Sequence, residues 1–231
     1  MSAVATVDLR RAEKPIKTLF GWLFFRRLSL PLSLRLARTR IRPAHVTVFG
    51  LSLGLCGASL MAVGSYGLLF AGAILANLAK LMDAVDGEVA RAKGLDSKAG
   101  YVADGLTDRL RDLAVIVGLG VGAGRHGTDA ALAWTMVAAA GYLAFFYVSG
   151  AFPSHWREVR STSDIDEKHM FRVSGAVRLG AGDTLAVFTL IGALANRPIW
   201  PVIAVAVAAP VATGLKVRRL FSVRPWDREE S

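Results

Sequence analysis

The sequence predicts an all-α integral membrane protein, with six transmembrane helices preceded by an N-terminal amphipathic interfacial helix. Three observations carry that prediction. Hydrophobic residues make up 53% of the 231-residue chain, and its mean hydropathy of +0.43 exceeds that expected of a soluble domain. Several apolar runs approach or exceed the ~18–20 residues that a helix needs to cross a bilayer. Lys and Arg fall almost entirely to one side of those runs.

The opening residues, MSAVATVDLRRAEKPIK, lack an apolar stretch followed by a small-residue cleavage site, so they read as a cytoplasmic arm and not a signal peptide. Residues 17–42 mix Leu, Phe and Trp with arginines, which suits a helix lying in the membrane interface. Pro31 is expected to kink or divide it. Together, residues 1–43 form the arm and interfacial helix. Six spans follow over roughly 44–64, 67–91, 98–124, 128–150, 178–195 and 198–216, the fifth being short. Residues 44–216 then form a six-helix membrane catalytic domain, and 217–231 a basic cytoplasmic tail.

A net charge of +10 raises nucleic acid or anionic lipid as a partner. The distribution decides. The segments 1–43, 91–98, 151–178 and 216–231 hold 23 Lys and Arg, against only Arg125 and Arg197 in the opposite loops. This follows the positive-inside rule, placing both termini in the cytoplasm. The positive charge belongs to one membrane face, in contact with membrane lipids, and a nucleic-acid partner is excluded. The single cysteine, Cys56, lies in an apolar run and reads as a small packing residue.

Between the second and third spans lies LMDAVDGEVARAKGLDSKAGYVADGLTDRLRD, residues 81–112. Asp83, Asp86, Ala90 and Arg91 fall at i, i+3, i+7 and i+8, on one helix face. Gly100, Asp104 and Asp108 repeat every four residues, again on one face. A turn near 92–98 would make the two helices antiparallel neighbours, with the acids below the membrane surface. Four facing carboxylates cannot all stay ionised without a cation. Oxygen ligands without His or Cys select Mg2+, Mn2+ or Ca2+ over zinc. Two such ions could bracket a transferring phosphoryl group. Gly87 and Gly100 would let a base or diphosphate approach the backbone, or let helices pack closely. Arg91 could neutralise phosphate oxygens or snorkel to head groups.

The series Asp83-x2-Asp86-Gly87-x2-Ala90-Arg91-x8-Gly100-x3-Asp104-x3-Asp108 resembles, without mismatch, the signature of the CDP-alcohol phosphotransferase family. The resemblance extends to an interfacial helix and six spans. It implies an enzyme that displaces CMP from a CDP-linked lipid or alcohol with the hydroxyl of a small acceptor alcohol. It further implies Asp83, Asp86 and Asp104 as ligands of two Mg2+ or Mn2+ ions, with Asp108 completing the metal site and serving as catalytic base. Gly87, Ala90, Arg91 and Gly100 would line the CDP pocket. IRPAHVTVFG is similar to the family's start of the first span; there Thr47 would help hold the nucleotide, or else serve as an ordinary helix-start residue.

Within the family, the stretch looks most like the branches that use inositol phosphate as acceptor, the phosphatidylinositol-phosphate and di-inositol-phosphate-phosphate synthases. Ser97-Lys98 and Asp108-Arg109 are shared with them. A phosphorylated acceptor needs a cationic pocket. The resemblance nominates Arg178 and Arg219, with Arg157, Arg160, Lys168 and Arg172 as further candidates, although each also suits topology or lipid contact. Two stretches depart from those branches: VSGAFPSHWREVR after the fourth span, and GAGDTLAV near the fifth, which lacks expected arginines. They leave the acceptor open.

Two glycine-rich stretches, GLSLG (50–54) and VGLGVGAG (117–124), read as helix-packing faces, and could also pair two copies into a homodimer. The four histidines lack ligand spacing, so no zinc site follows. Two other classes compete. A Mg2+-dependent membrane prenyltransferase would show two separated Asp-rich motifs. A cation transporter with intramembrane carboxylates would not require the glycines, Ala90 and Arg91 at fixed offsets.

Overall fold

The structure is a computed structural model. It describes residues 26–151, 170–174 and 177–222, with side chains described over 28–149 and 184–218. Among the described residues, seven helices run in chain order: α1 (Arg26–Ala37), α2 (Pro43–Val63), α3 (Tyr66–Ala92), α4 (Lys98–Arg125), α5 (Ala131–Phe146), α6 (Ala181–Leu194) and α7 (Ile199–Ser222). A π-helical turn, Tyr147–Ala151, extends α5. The connection to α6 holds the only strands among the described residues, β1 (Met170–Ser174) and β2 (Val177–Gly180), paired antiparallel.

The chain is an integral membrane protein by its helices. Among the described residues, four segments are long and apolar enough to cross a bilayer: Pro43–Val63, Tyr66–Ala92, Ala131–Ser149 and Ile199–Arg218. The other two expected spans are helices of a different kind. α4 has 28 residues, but Asp104, Asp108, Arg109, Arg111 and Asp112 break its apolar character. α6 has only 14 residues. α1 runs unbroken through Pro31, which neither divides it nor ends it.

Local chemistry sets the helix ends. Pro43 opens α2, where its fixed φ suits a first helical turn, and the Arg42 N–H donates to His45 Nδ1 (3.2 Å). Gly64 closes α2 in the left-handed conformation at φ 85°, which a side chain would resist. Ser97 caps α4 by accepting from the Gly100 N–H at 3.0 Å.

α2 packs along both α3 and α4, whereas α3 and α4 touch each other only sparsely. The expected antiparallel neighbours are therefore held apart, with α2 as their common wall. Small residues allow this. A Cβ on Gly57 would lie 2.7 Å from the Gly72 carbonyl oxygen, and one on Gly118 would lie 2.3 Å from that of Ala58. The GLSLG and VGLGVGAG stretches thus pack within one chain: Gly118 and Gly122 against α2, Gly120 against Thr135 of α5. The core forms around Met61, Leu69, Ile116, Leu119, Tyr142 and Val202. Cys56 is exposed on α2 and is not the packing residue expected.

Candidate active site

The motif aspartates gather at a cleft between α3 and α4 that is walled by α2, where Asp83 and Asp108 share Lys80 and Arg111. A small cavity there is lined by Thr47, Gly50, Leu51, Ala79, Asp83, Asp86, Thr107 and Arg111. The structure thus brings together acids 18 or more residues apart in sequence.

What compensates the acids differs from the expectation. Lys80 and Arg111, both within the expected spans, stand among them. Lys80 Nζ lies 3.5 Å from Asp83 Oδ2 and 3.6 Å from Asp108 Oδ1. Arg111 Nη1 lies 3.3 Å from Asp83 Oδ1, and Arg111 Nη2 contacts Asp108 Oδ1. Part of the positive charge that these carboxylates require thus comes from the chain itself. Opposite charges in a poorly hydrated cleft attract strongly enough to offset desolvation when hydrogen bonds complete the geometry. The signal was in the sequence: Lys80 precedes Asp83 by three and Arg111 follows Asp108 by three, the reach of neighbours on one helix face.

Arg111 is itself held. Its Nε lies 3.5 Å from Asp112 Oδ1, and the Tyr142 phenol donates to Asp112 Oδ2 at 2.6 Å. Tyr142 on α5, Asp112 and Arg111 on α4, and Asp83 on α3 thus form one polar chain across three helices. Its fit depends on Gly54, where a Cβ would meet Arg111 Cγ at 2.4 Å. The glycine admits the arginine stem to the cleft.

Asp86 is buried and bound differently. The Thr47 hydroxyl donates to Asp86 Oδ2 at 2.6 Å, tying α2 to α3. Thr47 therefore orients an acid of the motif. Asp104 Oδ1 is buried with no hydrogen-bond partner, and so is Arg91 Nε. Buried polar atoms are rarely left so, and open carboxylate oxygens are suited to a ligand or ion.

The glycines also have local roles. A Cβ on Gly87 would lie 3.2 Å from Arg91 Nη1, so Gly87 makes room for the Arg91 guanidinium. One on Gly100 would lie 3.2 Å from Ser97 Oγ, the capping oxygen of α4. Ala90 is half-buried beside Arg91 on α3. Arg109 is held locally: its Nη1 donates to the Gly105 carbonyl at 2.6 Å, and its guanidinium stacks 4.2 Å above the Phe146 ring.

Among the nominated acceptor arginines, Arg172 on β1 and Arg178 on β2 are Cα partners across the hairpin. Arg219 lies near the end of α7. The side chains of all three lie outside the described residues, as do Arg157, Arg160 and Lys168 altogether.

The donor set is that of a divalent-ion site. Its chemistry fits: hard carboxylate oxygens from two helices, one of them buried without a partner. In this arrangement the acids are drawn onto Lys80, Arg111 and Thr47, and no three His, Cys, Asp or Glu side chains among the described residues converge to hold an ion.

Comparison with known proteins agrees with this architecture. A bifunctional IPC transferase and DIPP synthase from Rubrobacter xylanophilus is 35% identical over 134 residues, 55% of this chain and 29% of that protein. Phosphatidylinositol phosphate synthase from Mycobacterium tuberculosis is 36% identical over 95 residues, 41% of this chain and 43% of that protein. The chain thus spans less than half the length of these curated relatives. A crystal structure of the M. tuberculosis synthase with CDP-DAG bound superposes with a TM-score of 0.66 at 23% identity, covering 87% of this chain and 98% of that one. Another, in complex with manganese and citrate, gives 0.65 at 23% identity, covering 86% of this chain and 91% of that one. At that identity the likeness speaks for the fold. The CDP-alcohol phosphatidyltransferase family model matches residues 40–213, well over half of the 231, and the chain belongs to that family.

Proposed function

We propose that this protein transfers a phosphatidyl group from a CDP-linked donor, CDP-diacylglycerol, to the hydroxyl of a small alcohol, releasing CMP. The observation that carries this reading is the cleft: motif carboxylates from two helices gathered around Lys80 and Arg111, in a chain of this family. The M. tuberculosis structure with CDP-DAG bound supports the choice of donor. The phosphatidylinositol phosphate synthases among the relatives favour a phosphorylated inositol as acceptor. Family membership favours this reading over a prenyltransferase or a cation transporter.

Asp83, Asp86, Asp104 and Asp108 would hold divalent ions, Mg2+ or Mn2+, two by the motif. The manganese complex of the M. tuberculosis synthase supports such use. Bound there, the ions supply Lewis-acid charge to the diphosphate. Gly87, Ala90, Arg91 and Gly100 bind the CDP moiety, and Thr47 orients Asp86. Asp108 takes the proton of the acceptor hydroxyl as its oxygen attacks the lipid-bearing phosphorus and the bond to the CMP phosphate breaks. An alcohol is a poor nucleophile, so this proton transfer contributes directly to rate. Lys80 and Arg111 balance charge in a site that must accept a diphosphate. Arg172, Arg178 and Arg219 bind an acceptor phosphate. α1 lies in the interface, the six remaining helices are the spans of a membrane catalytic domain, and the cleft and both termini face the cytoplasm. Two copies pair as a homodimer.

The test is CMP release by purified protein in nanodiscs, supplied with CDP-diacylglycerol and, in turn, inositol phosphate, glycerol phosphate, serine and inositol. Release should require Mg2+ or Mn2+ and one acceptor. No release with any of the four, with either metal, defeats the reading.

A further inference from the structure

Glu88 occupies an unassigned position inside the motif, between Gly87 and Ala90. It is 8% exposed, and each of its oxygens accepts one hydroxyl from α1: Ser29 Oγ to Oε1 at 3.0 Å and Ser33 Oγ to Oε2 at 2.6 Å. Both serines are buried, at 0% and 1% exposed. Spaced by four, they share one face of α1. Ala37 continues that face and packs on Ala92. One residue further along α3, Lys93 Nζ donates to the Thr39 carbonyl at 2.9 Å and to that of Ile41. Leu32 and Leu36 pack on the cluster of Val46, Val85 and Val89.

A carboxylate is costly to bury unless donors meet it. Here those donors come from a helix outside the motif. Successive residues on a helix point about 100° apart, so Asp86 and Glu88 reach different neighbours. Asp86 fastens this turn of α3 to α2 through Thr47, and Glu88 fastens it to α1. Between and beyond these anchors lie Gly87 and Arg91, whose guanidinium folds back over the glycine. A rotation of the turn would carry both away.

We infer that α1 is a working part of the site: Glu88, Ser29 and Ser33 are positioning residues that fix Gly87 and Arg91 for the nucleotide diphosphate, so that docking of α1 sets donor affinity. This rests on the proposed reading of the Gly87–Arg91 stretch as the CDP pocket. None of the three touches Asp108, so the transfer step itself should be spared.

The test uses the full chain in nanodiscs, measuring KM and kcat for CDP-diacylglycerol and, separately, equilibrium binding of CDP with Mg2+ by calorimetry. Ser29→Ala/Ser33→Ala and Glu88→Ala should each raise KM and the CDP Kd about tenfold, the scale of a lost hydrogen bond to a charged group, with kcat within about twofold. Glu88→Gln, whose amide can bond both hydroxyls, should restore most of the affinity. Should Glu88→Ala fail to fold, the serine double variant and Glu88→Gln still decide. Wild-type KM and Kd in the serine double variant, or lowered kcat and thermal stability at unchanged KM, would overturn the inference. A wild-type protein that neither binds CDP nor releases CMP would instead fail the functional reading, and the inference with it.

Discussion

Arg111 of α4 reaches across the cleft to Asp83 of α3, with Nη1 and Oδ1 3.3 Å apart. Its other terminal nitrogen contacts Asp108, and its Nε faces Asp112. One guanidinium therefore serves three carboxylates on two helices. Arg111→Ala should destabilise the protein by ~3–5 kcal/mol, since it strands buried acids without their cation. Thermal unfolding in detergent would measure this. Arg111→Lys should recover only part, because an ammonium lacks the planar fork that meets several acids at once.

Gly54 and Arg111 should be energetically coupled. A methyl at Gly54 would collide with the arginine stem near its base, where it has little freedom to move aside. Gly54→Ala should cost ~1–3 kcal/mol as overpacking. Combined with Arg111→Ala, the two losses should fall short of their sum by ~0.5–3 kcal/mol, and a double-mutant cycle in unfolding free energy reads the difference.

Thr47→Val keeps the shape of the side chain but removes the 2.6 Å donor to Asp86. A buried carboxylate left short of a donor should cost ~1–3 kcal/mol in stability. CDP binding in the presence of Mg2+ should weaken alongside. Thr47→Ser retains the hydroxyl and should behave close to wild type in both measurements.

Asp108→Asn should lower kcat by ~10^2–10^4-fold, the usual contribution of a positioned base, while CDP binding stays measurable. Asp83→Asn and Asp86→Asn should instead weaken metal-dependent CDP binding. Near-normal turnover in Asp108→Asn, followed by CMP release, would remove the base assignment.

Tyr142→Phe tests the far end of the polar chain. It deletes only the phenol that donates to Asp112 at 2.6 Å. Asp112 is 6% exposed and has little water to turn to. A loss of ~1–3 kcal/mol is expected in thermal unfolding.

Much of this architecture could be read from the sequence, because period and spacing are local properties. The expected boundaries of the first three spans fall within about two residues of α2, α3 and α4. The i, i+3 and i+4 offsets of the aspartates placed them on facing surfaces before any coordinates. What escaped was long-range or side-chain-specific. No periodicity says that α2, and not the short 93–97 turn, governs how α3 and α4 face each other. Which acids Lys80 and Arg111 meet across the helices, Asp108 and Asp83, depends on the packing, although cations inside spans need partners as much as the acids do. Ser29 and Ser33 carry no local signal of a buried carboxylate partner. Their partner, 55 or more residues away, was visible only in three dimensions.

The wall that α2 forms has a mechanical consequence. Gly50, Gly54 and Gly57 are buried on it, and a Cβ at each would press on Met82, Arg111 or the Gly72 backbone respectively. This row of hydrogens sets the bite of the carboxylate jaws. Residues with no reactive group of their own thereby govern the gauge of the opening, and a methyl added to any of them would shift the helices that carry the acids while replacing none of the acids.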